Sequence, residues 1–253
     1  MKMHVLSGGR LRMKRRVYIP EAGKDETIDL PVACFLLRHP QGNVLFDTGC
    51  HPDTATDPEG RWGGMAKMMT LVSPADENLI SGLAAIGVGT DDIDVVVNSH
   101  FHTDHCGCNA FFKRATIVCH ARELEAASAP DAVKAGFVDA DWKHPNRFDT
   151  FDGQKDLFGD GKIVALPLPG HTQGMSGALV SLERSGRYLL ASDAVALRAN
   201  FEREQNPKQT WNQDMALASL KEIQRIESGG ATVIFGHDLE QWESLKKGAQ
   251  SYD

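Results

Sequence analysis

The sequence predicts a mixed α/β fold. Short apolar runs rich in Val, Ile and Leu recur along the chain between turns that contain Gly, Pro and Asp, and such runs are typical of strands. A few longer stretches have the apolar spacing of amphipathic helices. The 253 residues are 42% hydrophobic and contain no Pro-, Ser- or Gly-rich linker, so we expect a single domain over residues 1–253.

A hairpin is the first element that the sequence predicts. Pro31–Leu37 and Asn43–Asp47 are apolar runs, and Pro40 and Gly42 punctuate the segment between them. Upstream lies the only dense basic run of the chain, which contains Arg10, Arg12, Lys14, Arg15 and Arg16. We interpret it as a solvated strand edge or hairpin rather than as a membrane or anion-binding patch.

Two helices have recognisable boundaries. Ser73 is expected to cap a helix with Pro74 in its first turn, and Gly87 is expected to end it. The stretch Asp214–Arg225 is amphipathic and is the last predicted helix.

Six further apolar runs predict short strands: Ile93–Val97, Thr116–Cys119, Ile163–Leu166, Gly177–Leu182, Tyr188–Ala191 and Thr232–Phe235. Four of them are followed within a few residues by His100, His171, Asp193 or His237. Functional sites are commonly assembled on loops at one end of a rigid sheet. These four side chains are therefore expected to converge.

Composition argues against several functional classes. Asp and Glu outnumber Lys and Arg by 34 to 27, whereas a nucleic-acid partner favours a basic face. No stretch reaches the roughly 18 to 20 apolar residues that cross a bilayer, and Met1–Pro20 does not resemble a secretory signal, so we expect a cytoplasmic protein. The cysteines lack C-x-x-C spacing and are expected to be reduced: Cys34, Cys50, Cys106, Cys108 and Cys119.

The densest cluster of chemistry-bearing residues is His100–His105, which holds three imidazoles and a carboxylate in six positions. On a loop that leaves a strand, His100, His102 and Asp104 can turn to one side. A helical turn that begins near Asp104 would bring His105 round. Imidazole and carboxylate are ligands that zinc accepts, and the lack of thiolates predicts a catalytic rather than a structural metal site.

These motifs resemble the signature of the metallo-β-lactamase superfamily, which here comprises His100–His105, Gly170-His171, Asp193 and Gly236-His237. Within it, the chain is most similar to the N-acyl-homoserine lactonases, which degrade quorum-sensing signals (quorum quenching), and to 4-pyridoxolactonase. The similar passages are Leu30–Val32, Asn98–His102, Pro169–Gly174 and Phe235–Asp238. The resemblance implies a four-layer αββα sandwich.

The resemblance also implies a role for each site residue. His100, His102 and His171 would hold one divalent ion, Asp104, His105 and His237 a second, and Asp193 would bridge the two. The expected metal is zinc, and a hydroxide shared by the two ions would attack an ester-like carbonyl. Asp104 would pass the proton to the leaving alkoxide, or serve as a ligand alone. Asp47 is expected to buffer the cationic cluster or to orient a ligand histidine, or else to form a plain strand-end turn.

The implied substrate is a small lactone, foremost an N-acyl-homoserine lactone, with no nucleic-acid or membrane partner. Other substrates of the same chemistry are 4-pyridoxolactone, a β-lactam or a thioester. The alternative outside enzymes is a metal-dependent binding or sensor protein without turnover. Similar lactonases often pair with themselves, so a homodimer is among the expectations.

Two positions depart from the pattern of similar lactonases. Ala196 lies three residues after Asp193, where those enzymes carry a tyrosine, and Cys108 replaces a glycine. By resemblance, the acyl-chain pocket would be lined by a segment that contains Trp62, Met65, Met68 and Met69. Ordinary packing or a dimer contact is the alternative for that segment.

Overall fold

The computed structural model describes all 253 residues. The strands are β1 (Lys2–Lys14), β2 (Thr27–His39), β3 (Gly42–Phe46), β4 (Met69–Leu71), β5 (Val95–Val97), β6 (Thr116–His120), β7 (Phe148–Phe151), β8 (Lys155–Asp156), β9 (Ile163–Pro167), β10 (Ser176–Leu182), β11 (Gly186–Ser192) and β12 (Ala231–Phe235). The α-helices are α1 (Pro58–Trp62), α2 (Leu79–Ala85), α3 (Thr103–Cys106), α4 (Ala121–Ala127), α5 (Asp139–Trp142), α6 (Arg198–Arg203), α7 (Gln213–Ser228) and α8 (Leu239–Ser244). None of them is both long and apolar enough to span a bilayer.

The strands form two sheets. One has seven strands in the order β4-β1-β2-β3-β5-β6-β7, and the other has five in the order β12-β11-β10-β9-β8. The neighbours β3, β5, β6 and β7 run parallel, as do β11 and β12, and the remaining pairs are antiparallel. Parallel neighbours end at the same edge of a sheet, so the loops that follow them lie side by side.

The two sheets pack face to face. Phe35 and Phe46 of the larger sheet belong to one buried cluster with Val180 and Ile234 of the smaller sheet. Along β2, successive side chains point to opposite faces, so Phe35 enters this cluster while Leu36 enters a different one. Burial on both faces explains why the strand sequences are continuous apolar runs.

Helices cover both outer faces. Leu83 of α2 and Trp142 of α5 pack on the outer face of the seven-stranded sheet. Leu220 and Ile223 of α7 pack on the five-stranded sheet. The order of layers is helix, sheet, sheet, helix, which confirms the expected αββα sandwich.

Most predicted elements are confirmed within one or two residues. β2 and β3 form the expected hairpin, with a register that runs from Phe35 opposite Phe46 to His39 opposite Gly42. The predicted helix at residues 214–225 lies inside α7. The basic run lies on β1 and the short 3-10 helix that follows it, within an antiparallel hairpin with β2, and Arg12 is exposed there and pairs with Asp29.

The predicted start of the helix after Ser73 is wrong. Residues 74–77 instead form a turn in which the Glu77 amide donates to the Pro74 carbonyl. The cap is Asn78, whose Oδ1 accepts a hydrogen bond of 3.0 Å from the Ser81 amide. Asn and Ser are comparable caps, so the sequence pattern alone could not choose between them. The expected stop is confirmed, since α2 ends at Ala85 and Gly87 has φ +71°.

Candidate metal centre

Five strand ends supply the site. Asp47 follows β3 directly, His100 follows β5, His171 follows β9, Asp193 follows β11 and His237 follows β12. The parallel pairs β3–β5 and β11–β12 set two of these loops beside each other in each sheet. The sandwich therefore brings loops of both sheets together at one edge, as the sequence analysis expected.

The motif His100–His105 changes conformation in its middle. His102 is extended, with φ −72° and ψ 152°, and α3 begins at the next residue. The amide of His105 donates to the His102 carbonyl at 2.9 Å, which closes the first turn. This turn brings His105 close to His100, with 4.2 Å between their ring centroids.

The seven predicted residues converge. Three groups each keep their candidate ligand atoms within 4.8 Å of one another: His100, His102 and His171; His100, His105 and Asp193; Asp104, His105 and His237. Asp193 lies between them, with Oδ2 3.3 Å from His171 Nε2 and Oδ1 2.9 Å from His237 Nε2. The two oxygens of one carboxylate thus face different groups of histidines.

Three of the imidazoles have a hydrogen-bond partner at Nδ1 and none at Nε2. The three Nδ1 contacts are His100 to Ser99 Oγ at 3.0 Å, His105 to Asp47 Oδ2 at 2.9 Å and His237 to the Pro31 carbonyl at 3.0 Å. In a neutral imidazole, an acceptor that takes the hydrogen bond of Nδ1–H leaves Nε2 without a proton and able to bind a cation. The Nε2 atoms of all three histidines are buried and have no hydrogen-bond partner.

His102 is turned the other way. Its Nε2 lies 2.9 Å from the Ala135 carbonyl, and its Nδ1 lies 3.0 Å from His171 Nε2. A backbone carbonyl accepts a hydrogen bond but cannot donate one, so it selects the tautomer with the proton on Nε2. Nδ1 is therefore the atom of His102 that faces the centre.

Asp47 is a buried carboxylate that is hydrogen-bonded to several residues around the site. Its Oδ1 accepts from the Ser99 amide at 2.7 Å, and its Oδ2 accepts from the Ser99 hydroxyl at 2.8 Å, besides its contact with His105. Ser192 Oγ donates to the same Oδ2 at 3.3 Å. Asp47 and Ser192 have φ values of +61° and +47°, which are costly for residues other than glycine and tend to occur at functional sites. The contact with His105 is the one that the orienting interpretation of Asp47 requires.

Sequence reasoning missed Glu123. This fully buried carboxylate accepts from the Phe101 amide at 3.0 Å, from Thr172 Oγ1 at 2.7 Å and from the Gly174 amide at 2.9 Å. It thereby ties the loop of His100 and His102 to the loop of His171. A buried carboxylate on helix α4 carries no motif, so only the contacts reveal it.

The first group of histidines favours the neutral form. Burial, reinforced by the other histidines, lowers the pKa of His100 well below its ordinary value. Burial also lowers the pKa of His102, and it lowers the pKa of His171 to about 4. These imidazoles are uncharged at neutral pH, as metal binding requires.

The second group is more strongly charged. Burial would raise the pKa of Asp104, but the charges of His105 and His237 lower it to about 2. Burial would likewise raise the pKa of Asp193, but His237, His171 and His105 hold it well below its ordinary value. In return, Asp104 and Asp193 raise the pKa of His105 against the effect of burial, and chiefly Asp193 does so for His237.

The residues present fit a pair of divalent ions. Buried polar atoms normally have hydrogen-bond partners, yet no aligned hydrogen bond reaches Asp193 Oδ1 or the Nε2 atoms of His100, His105 and His237, although Asp193 Oδ1 and His237 Nε2 lie 2.9 Å apart. Nitrogen and oxygen donors without thiolates suit zinc or a similar ion in a catalytic site.

The residues proposed for the pocket form a cluster. Trp62, Met69 and Ala196 are buried together, and Met65 packs against them. Met68 is 56% exposed and does not join this cluster. Cys108 is a buried thiol whose Sγ lies 3.2 Å from the Cys50 carbonyl, and all five cysteines are buried and unpaired.

Comparison with known proteins identifies the family. The model of the metallo-beta-lactamase superfamily matches residues 27–249, which include every candidate ligand. The chain belongs to the metallo-beta-lactamase superfamily. The N-acyl homoserine lactonase AttM of Azorhizobium caulinodans is 32% identical over all of this chain and 99% of its own length. An N-acyl homoserine lactonase of a Bacillus species is 30% identical over 97% of this chain and 96% of its own.

One solved structure is similar over nearly the whole of both chains. An N-acyl homoserine lactone hydrolase with the product N-hexanoyl-L-homoserine bound at its catalytic metal centre matches with a TM-score of 0.89. It is 25% identical, and the match covers 99% of this chain and 98% of the other. A dizinc quorum-quenching lactonase, at 16% identity and a TM-score of 0.69, shares the fold.

Proposed function

We propose that this protein is a dinuclear metal-dependent hydrolase that opens the lactone ring of N-acyl homoserine lactones. The main support is that seven side chains suited to two cations converge in a chain whose full-length relatives bear the name N-acyl homoserine lactonase. Such an enzyme is a quorum-quenching lactonase. We propose that its two ions are zinc and that the acyl tail of the substrate lies toward Trp62, Met65, Met69 and Ala196.

The ligand assignment follows from the two outer groups of candidate atoms. His100, His102 and His171 would hold one ion, and Asp104, His105 and His237 would hold the other. Asp193 would bridge them, because its two oxygens lie closest to His171 and to His237 respectively. When bound, the ion pair would supply Lewis acidity to the ester carbonyl and acidify water at neutral pH.

Asp104 is the proposed proton carrier. In ring opening, a water oxygen bonds to the carbonyl carbon, the ring C–O bond breaks, and the ring oxygen leaves as a hydroxyl after it gains a proton. The charges of His105 and His237 hold the pKa of Asp104 at about 2, so its carboxylate is ionised at neutral pH. It can accept the proton that the water loses and deliver it to the ring oxygen.

The other buried groups fix orientation. Asp47 holds the ring of His105, and the Pro31 carbonyl holds that of His237. Glu123 keeps the loop of His171 against the loop of His102. Rigid ligands of this kind cost no reorganisation during the reaction, which is the usual source of electrostatic catalysis.

A substrate panel tests the proposal. Zinc-loaded protein should open N-acyl homoserine lactones of several chain lengths, which a pH-stat detects because each turnover yields a carboxylic acid. Asp104→Asn should lower kcat by roughly 10²- to 10⁴-fold, the usual contribution of a positioned acid or base. Elemental analysis must accompany the assay because Asp104 is also a proposed ligand. Asp76→Asn is the matched control, since Asp76 is exposed.

The panel also contains 4-pyridoxolactone, a β-lactam and a thioester. Turnover of one of these without turnover of any acyl homoserine lactone would contradict the proposed substrate. Absence of turnover on the whole panel by protein with two bound ions would contradict the proposal of an enzyme.

A further inference from the structure

Tyr18 is a buried phenol in the candidate acyl pocket that has no role in the chemistry above. It follows the short helix at Arg15–Val17 and is only 9% exposed. Its ring belongs to the same apolar cluster as Trp62, Met69 and Ala196. A tyrosine in such a cluster normally directs its hydroxyl to a hydrogen-bond partner.

The backbone of Tyr18 is hydrogen-bonded to helix α6, which follows Asp193 in the chain. Asn200 is buried and donates from Nδ2 to the Tyr18 carbonyl at 2.9 Å. Asn200 lies in α6, which begins just after Ala196 and Leu197. The position of Tyr18 is thus set relative to the chain segment that carries Asp193, although 175 residues separate the two in sequence.

The hydroxyl of Tyr18 lacks a strong acceptor. Its one hydrogen bond within the chain is to the thioether sulfur of Met13 at 3.7 Å, and sulfur is a weak acceptor. In the same cluster, the indole Nε1 of Trp62 is buried without any partner. Two donors without adequate acceptors in one apolar cluster are a costly arrangement unless a ligand supplies the acceptors.

Two carboxylates of the candidate metal centre also act on the phenol. Burial raises the pKa of Tyr18 well above its ordinary value, and the charges of Asp193 and Asp104 add to the increase. The hydroxyl therefore keeps its proton at neutral pH. A neutral donor in the cluster that contains Ala196 is suited to an oxygen that becomes negative during the reaction.

We propose that the Tyr18 hydroxyl donates a hydrogen bond to the lactone carbonyl oxygen as negative charge develops on it. This inference rests on the proposed function. Position 196 offers no hydroxyl, and the pocket thus receives its donor from the N-terminal part of the chain instead of from the loop after Asp193. Because Tyr18 belongs to the cluster that would hold the acyl tail, its hydroxyl would act on substrates whose acyl tail fills that pocket.

Tyr18→Phe removes one oxygen atom and leaves the ring in place. We expect kcat and kcat/KM for a hexanoyl homoserine lactone to fall together by roughly 10-fold to 100-fold, somewhat less than the 10²- to 10³-fold typical of an oxyanion-hole donor. KM and the content of bound zinc should stay within twofold of wild type. Tyr188→Phe is the matched control, because Tyr188 lies on β11 and packs against Tyr252.

A second measurement does not depend on turnover. The chain has three tyrosines, so protein labelled with 3-fluorotyrosine gives three ¹⁹F signals, which Tyr18→Phe and Tyr188→Phe assign. Adding the product N-hexanoyl-L-homoserine to zinc-loaded protein should shift the Tyr18 signal and leave the Tyr188 signal in place.

Each outcome bears on one idea. Wild-type activity together with full activity of Tyr18→Phe, or a change in KM alone, would overturn the role of Tyr18 and leave the proposed function standing. A Tyr18 signal that does not respond to a saturating product would also overturn it. Inactive wild-type protein would overturn the proposed function and this inference with it.

Discussion

Replacing Asp47 by Asn tests whether this buried carboxylate influences the zinc affinity of the candidate metal centre. Asp47 is 1% exposed, and its Oδ2 accepts from His105, Ser99 and Ser192. Asparagine tolerates the left-handed φ of +61° as well as aspartate does, so the backbone should not change. The substitution therefore removes charge and one acceptor atom with little change in shape.

The expected loss follows from the hydrogen bonds. An amide nitrogen in place of Oδ2 would meet the Nδ1–H of His105 donor to donor, which favours the tautomer with the proton on Nε2. That proton would occupy the atom proposed to bind the ion. Loss of an outer-shell partner typically weakens metal binding 10- to 100-fold, or about 1.4 to 2.8 kcal/mol. Losing a charge-assisted hydrogen bond should also lower the free energy of unfolding of the metal-free protein by about 1.5 to 3 kcal/mol.

Competition with a chromophoric zinc chelator measures the effect directly. Wild type and Asp47→Asn are titrated at one pH, with Asp76→Asn as the exposed control, and urea unfolding of each metal-free protein is measured in parallel. At saturating zinc, the turnover of Asp47→Asn should return part of the way to the wild-type value. Zinc affinity of Asp47→Asn within twofold of wild type would refute the reasoning, because the partner of His105 would then have no influence on the ion.

Three further predictions use other features of the site. In Gly236→Ala, the new Cβ would lie 2.7 Å from Asp193 Oδ1, so elemental analysis should find less than the full zinc content, whereas Gly153→Ala, with open space around it, should bind zinc normally. The carboxylates of Asp104 and Asp193 raise the pKa of His105 and His237 above 6.5. Zinc loading should therefore release protons, and zinc affinity should rise with pH through and above that value. An indicator-dye titration that shows no proton release would contradict this prediction. Burial raises the pKa of Glu123 from 4.5 to about 7, so the folded metal-free protein binds more protons than the unfolded chain, and its free energy of unfolding should fall by about 3 kcal/mol as pH rises through that interval. Glu123→Gln should remove this slope in urea unfolding, and an unchanged slope would show that another group causes it.

Local sequence patterns determined the elements and the chemistry of the ligands. Apolar runs interrupted by glycine and proline suffice to predict strands such as Asn43–Asp47, because strand formation follows the burial of neighbouring side chains. The turn that brings His105 round was predictable for the same reason, since its hydrogen bonds span only three or four residues. The spacing of the metal motif likewise indicates imidazole and carboxylate ligands.

Contacts between distant residues were decided by the tertiary structure alone. The carbonyl of Pro31 that selects the tautomer of His237 is 206 residues away from it, and a backbone carbonyl carries no sequence signal. Glu123 and Tyr18 belong to no motif, and their roles arise from the loops that the sandwich places against them. Each of these contacts depends on how the two sheets pack, and packing is a property of the whole chain rather than of any one segment.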